Sequence, residues 1–305
     1  MNKSHPDNLP ISLKHVKKDM IWKRKLDIES VQKLIFCKNE FQLKRTKEFI
    51  IFEELIQESS QFNLECSHKM SRDHIDSCRF YLWYNGASYQ KTKSLKKILL
   101  FSKKISSLDK VTINHSLINK ILKTQPDLDK ITKICLGIDF RSITAESRIK
   151  IGFYTENYSK MRQAVSEMLN HNKNFEELLF GNKFLFGIDL YFDGRTRLKV
   201  YPTFDHAMLK KPNVRNKIQD VFDNTTIELI KDCSEFFVSF NDKWKKTLHF
   251  FPKDKNRERF IKKLSNSCVE ALDQRNLKGG YPTWAFSFPE QEFLKRKTKN
   301  INLYY

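Results

Sequence analysis

The sequence predicts an α+β protein whose sheet is antiparallel and closed into a barrel of about ten strands, with helices around it. Hairpin-like stretches alternate with helix-like stretches, and one unit occurs twice. GIDF at 137–140 recurs as GIDL at 187–190, and RIKI at 148–151 recurs as RLKV at 197–200. A repeat of roughly fifty residues is typical of stacked or circular architectures. Consecutive hairpins give an antiparallel sheet, and closing it removes the unpaired edges.

The predicted elements follow from local periodicity and from residues that break helices. Alternating apolar residues indicate strands, whereas apolar residues three and four apart indicate helices. Pro212 is expected to break one helix early, and Gly279 and Gly280 to end another. In chain order we expect a hairpin at 62–86, a helix at 116–124, strands at 131–141 and 147–155, a helix at 158–180, a hairpin at 187–202, helix at 206–232, a hairpin at 234–251, a helix at 254–276, and strands at 283–288 and 300–305.

We interpret residues 1–305 as one barrel domain. Residues 1–60 are a basic, mainly helical part, and residues 61–305 carry the repeated hairpin–helix units. Only 8 glycines and 8 prolines occur, which disfavours long linkers.

The composition restricts the function classes. With 56 Lys and Arg against 36 Asp and Glu, the net charge is +20, which points either to an anionic partner or to a solvated lysine-rich surface. No apolar run approaches the ~18 residues of a membrane helix, and the polar start MNKSHPDNLP is not a signal peptide. We therefore expect a cytoplasmic protein with no membrane partner and with its six cysteines reduced.

One cysteine-containing stretch invites comparison with a zinc site. Cys66, His68, His74 and Cys78 fall within thirteen residues. Structural zinc sites usually take ligands from two well-separated pairs. The stretch is more simply interpreted as two strands and a turn.

The second copy of the repeated hairpin has two distinct faces. The apolar face needs a cover of amphipathic helices, so the polar face should line the lumen of the barrel. For both strands to share these faces we expect Tyr191 to pair with Arg197 around an odd-numbered loop in which Gly194 has positive φ. Strand alternation predicts these lumen-facing side chains: Arg79, Tyr81, Trp83, Asp139, Arg141, Arg148, Lys150, Tyr154, Asp189, Tyr191, Arg197, Lys199, Tyr201, Glu235, Phe237 and Ser239.

A lumen lined with Arg, Lys and Tyr has chemical consequences. Buried cations are costly unless an anion accompanies them, and a diphosphate would supply that charge. Tyrosine rings offer π faces that stabilise a carbocation and exclude water. The pattern therefore suggests an allylic diphosphate as substrate. A polar sheet face turned to solvent is the simpler alternative.

Three stretches resemble the cyanobactin peptide prenyltransferases, which belong to the ABBA prenyltransferases. They are GIDFRSITAESRIKI, FGIDLYFDGRTRLKVY and NINLYY, and the similarity runs from about residue 60 to the end. The resemblance implies a ten-stranded ABBA prenyltransferase (PT) barrel. It also implies transfer of a dimethylallyl group from dimethylallyl diphosphate to a side chain of a ribosomally made peptide. Mg²⁺ would accompany the diphosphate with few or no protein ligands, and no DDxxD motif occurs.

The resemblance also implies roles for individual residues. Glu65 is the carboxylate that takes the acceptor proton, and Phe237 has the bulk that favours a five-carbon donor. The resemblance marks Arg79 and Lys150 as diphosphate-binding residues, and strand parity adds Arg148, Arg197 and Lys199. The candidates for the carbocation shield are Tyr154, Tyr191 and Tyr201, and those for the prenyl and acceptor pocket are Phe237, Trp284, His249, Trp83 and Tyr304. No residue is expected to ligate a metal.

Two positions depart from the family pattern. Gly152 stands where a basic or imidazole side chain is expected, and Asn302 stands where an arginine is expected. The diphosphate site therefore lacks two expected positive partners, and Lys199 is a candidate to compensate.

The partners expected are an isoprenyl diphosphate and a cyclic or linear precursor-derived peptide, acting on a monomer. Tyrosine oxygen is the first choice of acceptor, with Trp, His and Arg as alternatives. Two other functions remain open: a non-enzymatic basic protein that binds nucleic acid, favoured by the charge and by the RFYLWY stretch, and an inactive family member that binds peptide. Nucleic acid is not the partner we expect.

Overall fold

The computed structural model describes residues 28–40, 45–59, 62–71, 74–75, 78–180, 183–240, 245–264, 283–295 and 300–305. In these residues ten antiparallel strands form a closed barrel, since each strand pairs with the next and the last pairs with the first. Helices cover its outside. The predicted α+β barrel is confirmed. The strands are β1 Phe62–Ser71, β2 Arg79–Tyr84, β3 Ile131–Asp139, β4 Arg148–Glu156, β5 Lys183–Tyr191, β6 Thr196–Asp205, β7 Cys233–Phe240, β8 Lys246–Pro252, β9 Ala285–Pro289 and β10 Asn300–Tyr304.

Helices precede the barrel and connect its hairpins. A two-residue strand, His74–Ile75, pairs with the end of β1 at Met70 and Ser71. The helices are α1 Ile28–Glu40, α2 Lys47–Glu58, α3 Ser88–Ser106, α4 Ser116–Lys123, α5 Ser159–Met168, α6 Lys173–Leu178, α7 His206–Leu209, α8 Pro212–Val221, α9 Asn224–Ile230, α10 Arg257–Lys263 and α11 Glu290–Leu294. Within the described residues no helix is long and apolar enough to cross a membrane.

The main core lies between the outer face of the barrel and the helices. Alternate strand residues point outward and are apolar, and many are phenylalanines. Phe153 stacks on Phe186 with ring centroids 5.1 Å apart, and Phe236 contacts Phe250 at the same centroid distance. All four rings are fully buried. Burying each such side chain contributes roughly 1.5–3 kcal/mol, so this layer holds the barrel wall in place.

Several helix predictions need correction. The stretch 158–180 is two helices, because Asn170 and His171 adopt positive φ and end the first one. The stretch 206–232 is three helices, and Pro212 begins the second at a position where its missing N–H costs nothing. Helices α3 and α11 were not predicted. The distal part of the helix predicted over 254–276, with Gly279 and Gly280, lies outside the described residues, as do residues 1–27.

The register predicted for the second copy of the repeated hairpin, β5–β6, is wrong by two residues. The ladder pairs Asp189 with Arg197, so Tyr191 meets Arg195 rather than Arg197. A shift of two keeps every side chain on its expected face. The loop still has an odd number of residues, and Gly194 has φ +86° as expected. The shorter loop brings Asp189 directly opposite Arg197.

Candidate active site

The lumen of the barrel contains a cavity of about 550 Å³, a size typical of small-molecule sites. Strands β1, β7 and β8 each contribute polar and aromatic or apolar side chains to it. The strand alternation that buries phenylalanines outside turns the polar set inward. Among its walls are Glu65, Tyr81, Trp83, Cys135, Lys150, Tyr154, Leu185, Tyr201, Glu235, Phe237, His249, Phe251, Trp284 and Tyr304.

The floor of the lumen is organised around a buried carboxylate, Asp189. Its side chain is fully buried, and three cations surround it: Lys199 Nζ at 3.1 Å, Lys150 Nζ at 3.4 Å and a nitrogen of Arg148 at 3.7 Å. Burial alone would raise the pKa of Asp189. The charges of Lys150, Lys199 and Arg148 instead hold this pKa well below its usual range.

A second carboxylate, Asp139, occupies the equivalent position in the first copy of the repeat. Arg141 approaches it at 2.5 Å and Arg148 at 2.9 Å. Arg148 therefore contacts both carboxylates. The two carboxylates share the floor with six cationic side chains, so positive charge is in excess and the floor is suited to an anion. The six are Arg79, Arg141, Arg148, Lys150, Arg197 and Lys199.

Lys150 links this floor to the cavity. Its Nζ donates to the hydroxyl of Tyr201 at 2.9 Å and lies 5.3 Å from the centre of that ring. It also lies 5.9 Å from the ring of Tyr81. Burial opposes ionisation of Tyr201, but the charges of Lys150 and Lys199 dominate and lower its pKa. An ammonium group and two aromatic rings thus meet at one point of the wall.

Glu65 stands in the cavity wall above the floor. It pairs with Tyr81 across the ladder, and the indole Nε1 of Trp83 donates to its carboxylate at 3.1 Å. Burial raises the pKa of Glu65 to about 7, against the opposing effects of the Trp83 hydrogen bond and of Lys33 and Arg79. A positioned carboxylate of this kind can accept a proton from a bound molecule.

Aromatic rings form the upper part of the cavity. Phe237 and Phe251 contact each other with centroids 4.5 Å apart, and Trp284 lies 5.3 Å from Phe251. Tyr154 and Tyr304 complete the group at 6.4 Å from Phe237 and Trp284 respectively. Trp284 is 37% exposed and therefore marks the mouth. The rings give the space above the cationic floor an apolar lining.

His249 lies in the wall as a neutral imidazole. Burial and the charges of Lys150, Lys199 and Arg79 lower its pKa to about 3. Its Nε2 and the hydroxyl of Ser239 are hydrogen-bonded at 2.8 Å. It can exchange hydrogen bonds with a ligand without adding charge.

The two departures from the family pattern have structural explanations. A Cβ on Gly152 would come within 2.5 Å of the sulfur of Cys135, which fills the space that a larger side chain would need. Asn302 accepts a hydrogen bond from Arg79 at 2.8 Å and donates to Ser287 at 2.8 Å. Asn302 thus orients a cation of the floor rather than supplying one.

The structure brings most of the predicted site residues together. Of the predicted diphosphate-binding residues, only Lys150 lines the cavity, and the other four lie at the floor. Tyr191 does not line the cavity either: it accepts a hydrogen bond from Arg148 at 2.6 Å and lies 4.7 Å from the Arg195 guanidinium. The cavity wall contains Glu65, Trp83, Lys150, Tyr154, Tyr201, Phe237, His249, Trp284 and Tyr304, and the floor contains Arg79, Arg148, Arg197 and Lys199.

Sequence reasoning missed several cavity residues, among them Lys33, Cys135 and Phe251. Strand alternation would have found Phe251 and Cys135. Phe251 lies two residues beyond His249, and Cys135 lies four residues before Asp139 on the same strand, so both point into the lumen. Lys33 has no such signal. It reaches the cavity from α1 and donates to the carbonyl of Leu64 at 3.2 Å.

The family model that matches the sequence covers residues 31–305 and is described as a family of unknown function, DUF5838. The chain belongs to DUF5838. No curated protein matches this DUF5838 member. Similarity to solved structures is confined to the fold at the identities found.

Three solved structures share the barrel over most of their length. NotF in complex with brevianamide F and DMSPP has a TM-score of 0.56 at 11% identity, covering 90% of this chain and 92% of NotF. The 5-dimethylallyl tryptophan synthase from Streptomyces coelicolor, in complex with DMASPP and Trp, has 0.55 at 12%, covering 89% and 92%. PriB with L-tryptophan and dimethylallyl thiolodiphosphate has 0.54 at 13%, covering 89% and 93%. The predicted ABBA prenyltransferase barrel is confirmed as the fold of this DUF5838 chain.

Proposed function

We propose that this chain is a prenyltransferase that moves a dimethylallyl group from dimethylallyl diphosphate to a side chain of a ribosomally made cyclic peptide. The observation that carries the proposal is a cavity whose aromatic upper part holds Glu65 and which reaches the cationic floor through Lys150. The two halves match the two ends of the donor, which has an anionic leaving group and a carbon chain.

The floor would bind the diphosphate. Lys150, Lys199 and Arg148 lie around Asp189, and their charge exceeds that of the carboxylates they contact. When the bond between the allylic carbon and the diphosphate oxygen breaks, its electron pair stays on the diphosphate. The cations stabilise that developing charge in a site with little water. The rings of Tyr201 and Tyr154 face the carbon left with the positive charge.

Glu65 would complete the reaction at the acceptor. The acceptor oxygen, nitrogen or carbon uses an electron pair to bond the allylic cation, and its proton passes to the Glu65 carboxylate. The Trp83 hydrogen bond holds that carboxylate in place. Tyrosine oxygen is our first choice of acceptor, and Trp, His or Arg side chains are alternatives.

Two lines of support concern the substrates. PriB and NotF were solved with dimethylallyl thiolodiphosphate, written DMSPP, the sulfur counterpart of the proposed donor. The peptide acceptor rests on the sequence resemblance to cyanobactin peptide prenyltransferases in the repeated hairpin stretches. An open mouth bordered by Trp284 is compatible with an acceptor larger than one amino acid.

The described residues do not form a magnesium cage in the lumen. Asp189 and Asp139 are each surrounded by cations, and neither belongs to a cluster of three or more metal-ligand side chains in the described ranges. A divalent cation would be repelled there in the absence of diphosphate. We therefore propose that Mg²⁺ enters with the diphosphate, and no step here depends on it.

The decisive experiment is incubation with dimethylallyl diphosphate, Mg²⁺ and a panel of cyclic peptides that each contain one Tyr, Trp, His or Arg. We expect one panel member to gain the mass of one dimethylallyl group, and fragmentation to locate it. Matching linear peptides test whether the ring is needed. No product with any peptide and either dimethylallyl or geranyl diphosphate would contradict the proposal, and tight, salt-sensitive binding of an arbitrary oligonucleotide would then favour the nucleic-acid alternative.

The same assay tests Glu65. Glu65→Gln keeps the shape and the Trp83 contact but loses the basic oxygen, so kcat should fall roughly 10²-fold with the melting temperature nearly unchanged. Glu146→Gln, at an exposed carboxylate paired with Arg195, is the matched control. Equal activity of the two variants would show that Glu65 is not the base.

Phe237 allows a test of donor length. Its ring packs between Tyr154 and Phe251 in the cavity wall. Phe237→Gly should open space for geranyl diphosphate as a donor. A glycine variant that folds and uses dimethylallyl diphosphate, yet rejects geranyl diphosphate, would place the donor chain elsewhere.

A further inference from the structure

Three cysteines from separate parts of the sequence meet outside the lumen. Cys37 lies on α1, Cys66 on β1, and Cys78 immediately before β2. Their sulfur atoms all lie within 4.8 Å of one another, none of the three forms a disulfide, and none is more than 3% exposed. Cys66 and Cys78 belong to the sequence stretch that resembles a zinc site. Their neighbour in three dimensions is Cys37, which lies outside that stretch.

From this geometry we propose that Cys37, Cys66 and Cys78 form a binding site for a soft, thiophilic metal ion, which they would ligate through sulfur. Thiolates select ions such as Cu(I) and Zn²⁺ over Mg²⁺ or Ca²⁺. Metal–sulfur bonds of about 2.3 Å place the three sulfurs of a trigonal site about 4.0 Å apart. The three sulfurs therefore need to approach one another by about 1 Å at most.

Binding replaces three protons with one ion. Burial keeps the thiols of Cys66 and Cys78 neutral by raising their pKa, so the metal-free trio is compatible with its apolar surroundings. On binding, each S–H bond gives its electron pair to the metal and releases its proton to solvent. The guanidinium of Arg79 favours the anionic form of Cys78 and so offsets part of the cost.

The ligand set favours Cu(I). In the part of the chain that the structure describes, no fourth His, Cys, Asp or Glu joins the trio within the same distance limit. Zn²⁺ in structural sites takes four ligands, whereas a soft monovalent ion accepts three thiolates. Both ions share the sulfur chemistry, and the experiment below separates them.

The position of the trio connects it to the cavity wall. Cys66 follows Glu65 and Cys78 precedes Arg79, and successive strand residues point to opposite faces. On α1, Lys33 lies one helical turn before Cys37 and lines the cavity. A metal bound here would fix α1 to the outer side of the wall whose inner side carries Glu65. The site itself lies outside the lumen, and its test does not depend on the proposed function.

The test uses the full chain, reduced and freed of metal with a chelator under anaerobic conditions. Cu(I) and Zn²⁺ are titrated separately against a colorimetric chelator of each ion. We expect one equivalent of Cu(I) per chain, a rise in melting temperature, and weaker binding of Zn²⁺. One equivalent of Zn²⁺ bound more tightly than Cu(I) would also support the sulfur site but overturn the choice of ion.

Variants separate ligation from packing. Cys37→Ser should weaken binding at least about tenfold, and it lies on a peripheral helix. Cys233→Ser is the matched control, because Cys233 is equally buried but belongs to β7. Affinities that are equal in the two variants would overturn the proposal.

A measurement on the unmodified chain covers the case in which a variant fails to fold. X-ray absorption at the metal edge counts the neighbouring atoms, and we expect three sulfur neighbours at about 2.3 Å. A shell of nitrogen or oxygen would overturn the site. Failure of the protein to take up both Cu(I) and Zn²⁺ from their chelators would also overturn the site and leave the trio as ordinary apolar packing.

Discussion

The two copies of the repeated hairpin, β3–β4 and β5–β6, share their charged residues and differ above them. Each copy supplies an aspartate, an arginine and a lysine to the floor, in the order Asp139, Arg148 and Lys150 in the first and Asp189, Arg197 and Lys199 in the second. Two residues beyond each lysine, the first copy has Gly152 and the second has Tyr201. The repeat thus sets the electrostatics, and the unequal positions shape the cavity.

The contacts of the two aspartates differ as well. The side chain of Asp189 has no exposed surface and its three cations are 13–20% exposed, whereas the side chain of Asp139 is 5% exposed and its two cations are 20% and 24% exposed. Lys150 of the first copy donates to Tyr201 of the second. The two copies therefore depend on each other, with the second copy at the centre.

The largest effect should come from neutralising the central carboxylate. Asp189→Asn leaves Lys150 and Lys199 in a water-poor site without their counter-charge, and should lower the free energy of unfolding by about 3 kcal/mol. Asp139→Asn should cost about 1 kcal/mol, because Asp139 has two cationic partners rather than three and is not fully enclosed. Urea unfolding of both variants measures this, and equal losses would refute the central role of the second copy.

Acid should remove part of the same stabilisation. The pKa of folded Asp189 is lowered, so its contribution is fully present above the pKa of an unfolded aspartate, about 3.9, and is lost as the pH falls from there toward the folded pKa. The difference in unfolding free energy between wild type and Asp189→Asn should shrink between about pH 5 and pH 3. A difference that stays constant over this range would mean that Asp189 is not held ionised by its neighbours.

The two lysines should differ in activity, if the proposed reaction is correct. Lys150→Met removes an ammonium that lines the cavity and bonds Tyr201, so kcat/KM for the donor should fall ten- to a hundredfold, by about 1.5–3 kcal/mol. Lys199→Met should fall less, because Lys199 contacts Asp189 below the cavity. Steady-state kinetics with varied donor concentration decide the order, and the reverse order would assign the diphosphate to the second copy.

The smallest effect concerns the unequal position in the first copy. Gly152→Ala forces the sulfur of Cys135 to rotate away and should destabilise the chain by about 1 kcal/mol. Cys135→Ala should restore the loss in the double variant. Thermal unfolding of the two single variants and the double variant gives the coupling energy, and additive losses would mean that Cys135 does not limit this position.

Much of the fold followed from alternation in the sequence. The polar and apolar faces of β5 and β6 were predicted correctly, because the period of two determines the face of each residue. The register was not, since a shift of two leaves every face unchanged and only the backbone contacts of the loop choose between the two pairings. Helix α3 has a buried stripe at Leu95, Ile98, Phe101 and Ile105. The many lysines between these residues mask the apolar periodicity in the sequence.

The candidate site was predictable where strands build it and not where a helix contributes. Glu65, Lys150 and Tyr201 occupy strand positions whose side chains point into the lumen. The family resemblance also indicated Glu65 and Lys150 as site residues. Lys33 and Cys37 lie on α1, and their contacts with the barrel are between residues far apart in the sequence. No local pattern states which strand a helix will cover, so both contacts appear only in three dimensions.

The barrel is closed by a seam between β1 and β10. Ser67 pairs with Tyr304, and the backbones of Cys66 and Tyr305 exchange hydrogen bonds of 3.2 and 2.8 Å. On the ribosome β1 is synthesised roughly 230 residues before β10, with which it pairs. One edge of β1 therefore stays unpaired during most of synthesis. Closure is therefore expected late in folding, and a chaperone that shields this edge would have its greatest effect before residues 300–304 are made.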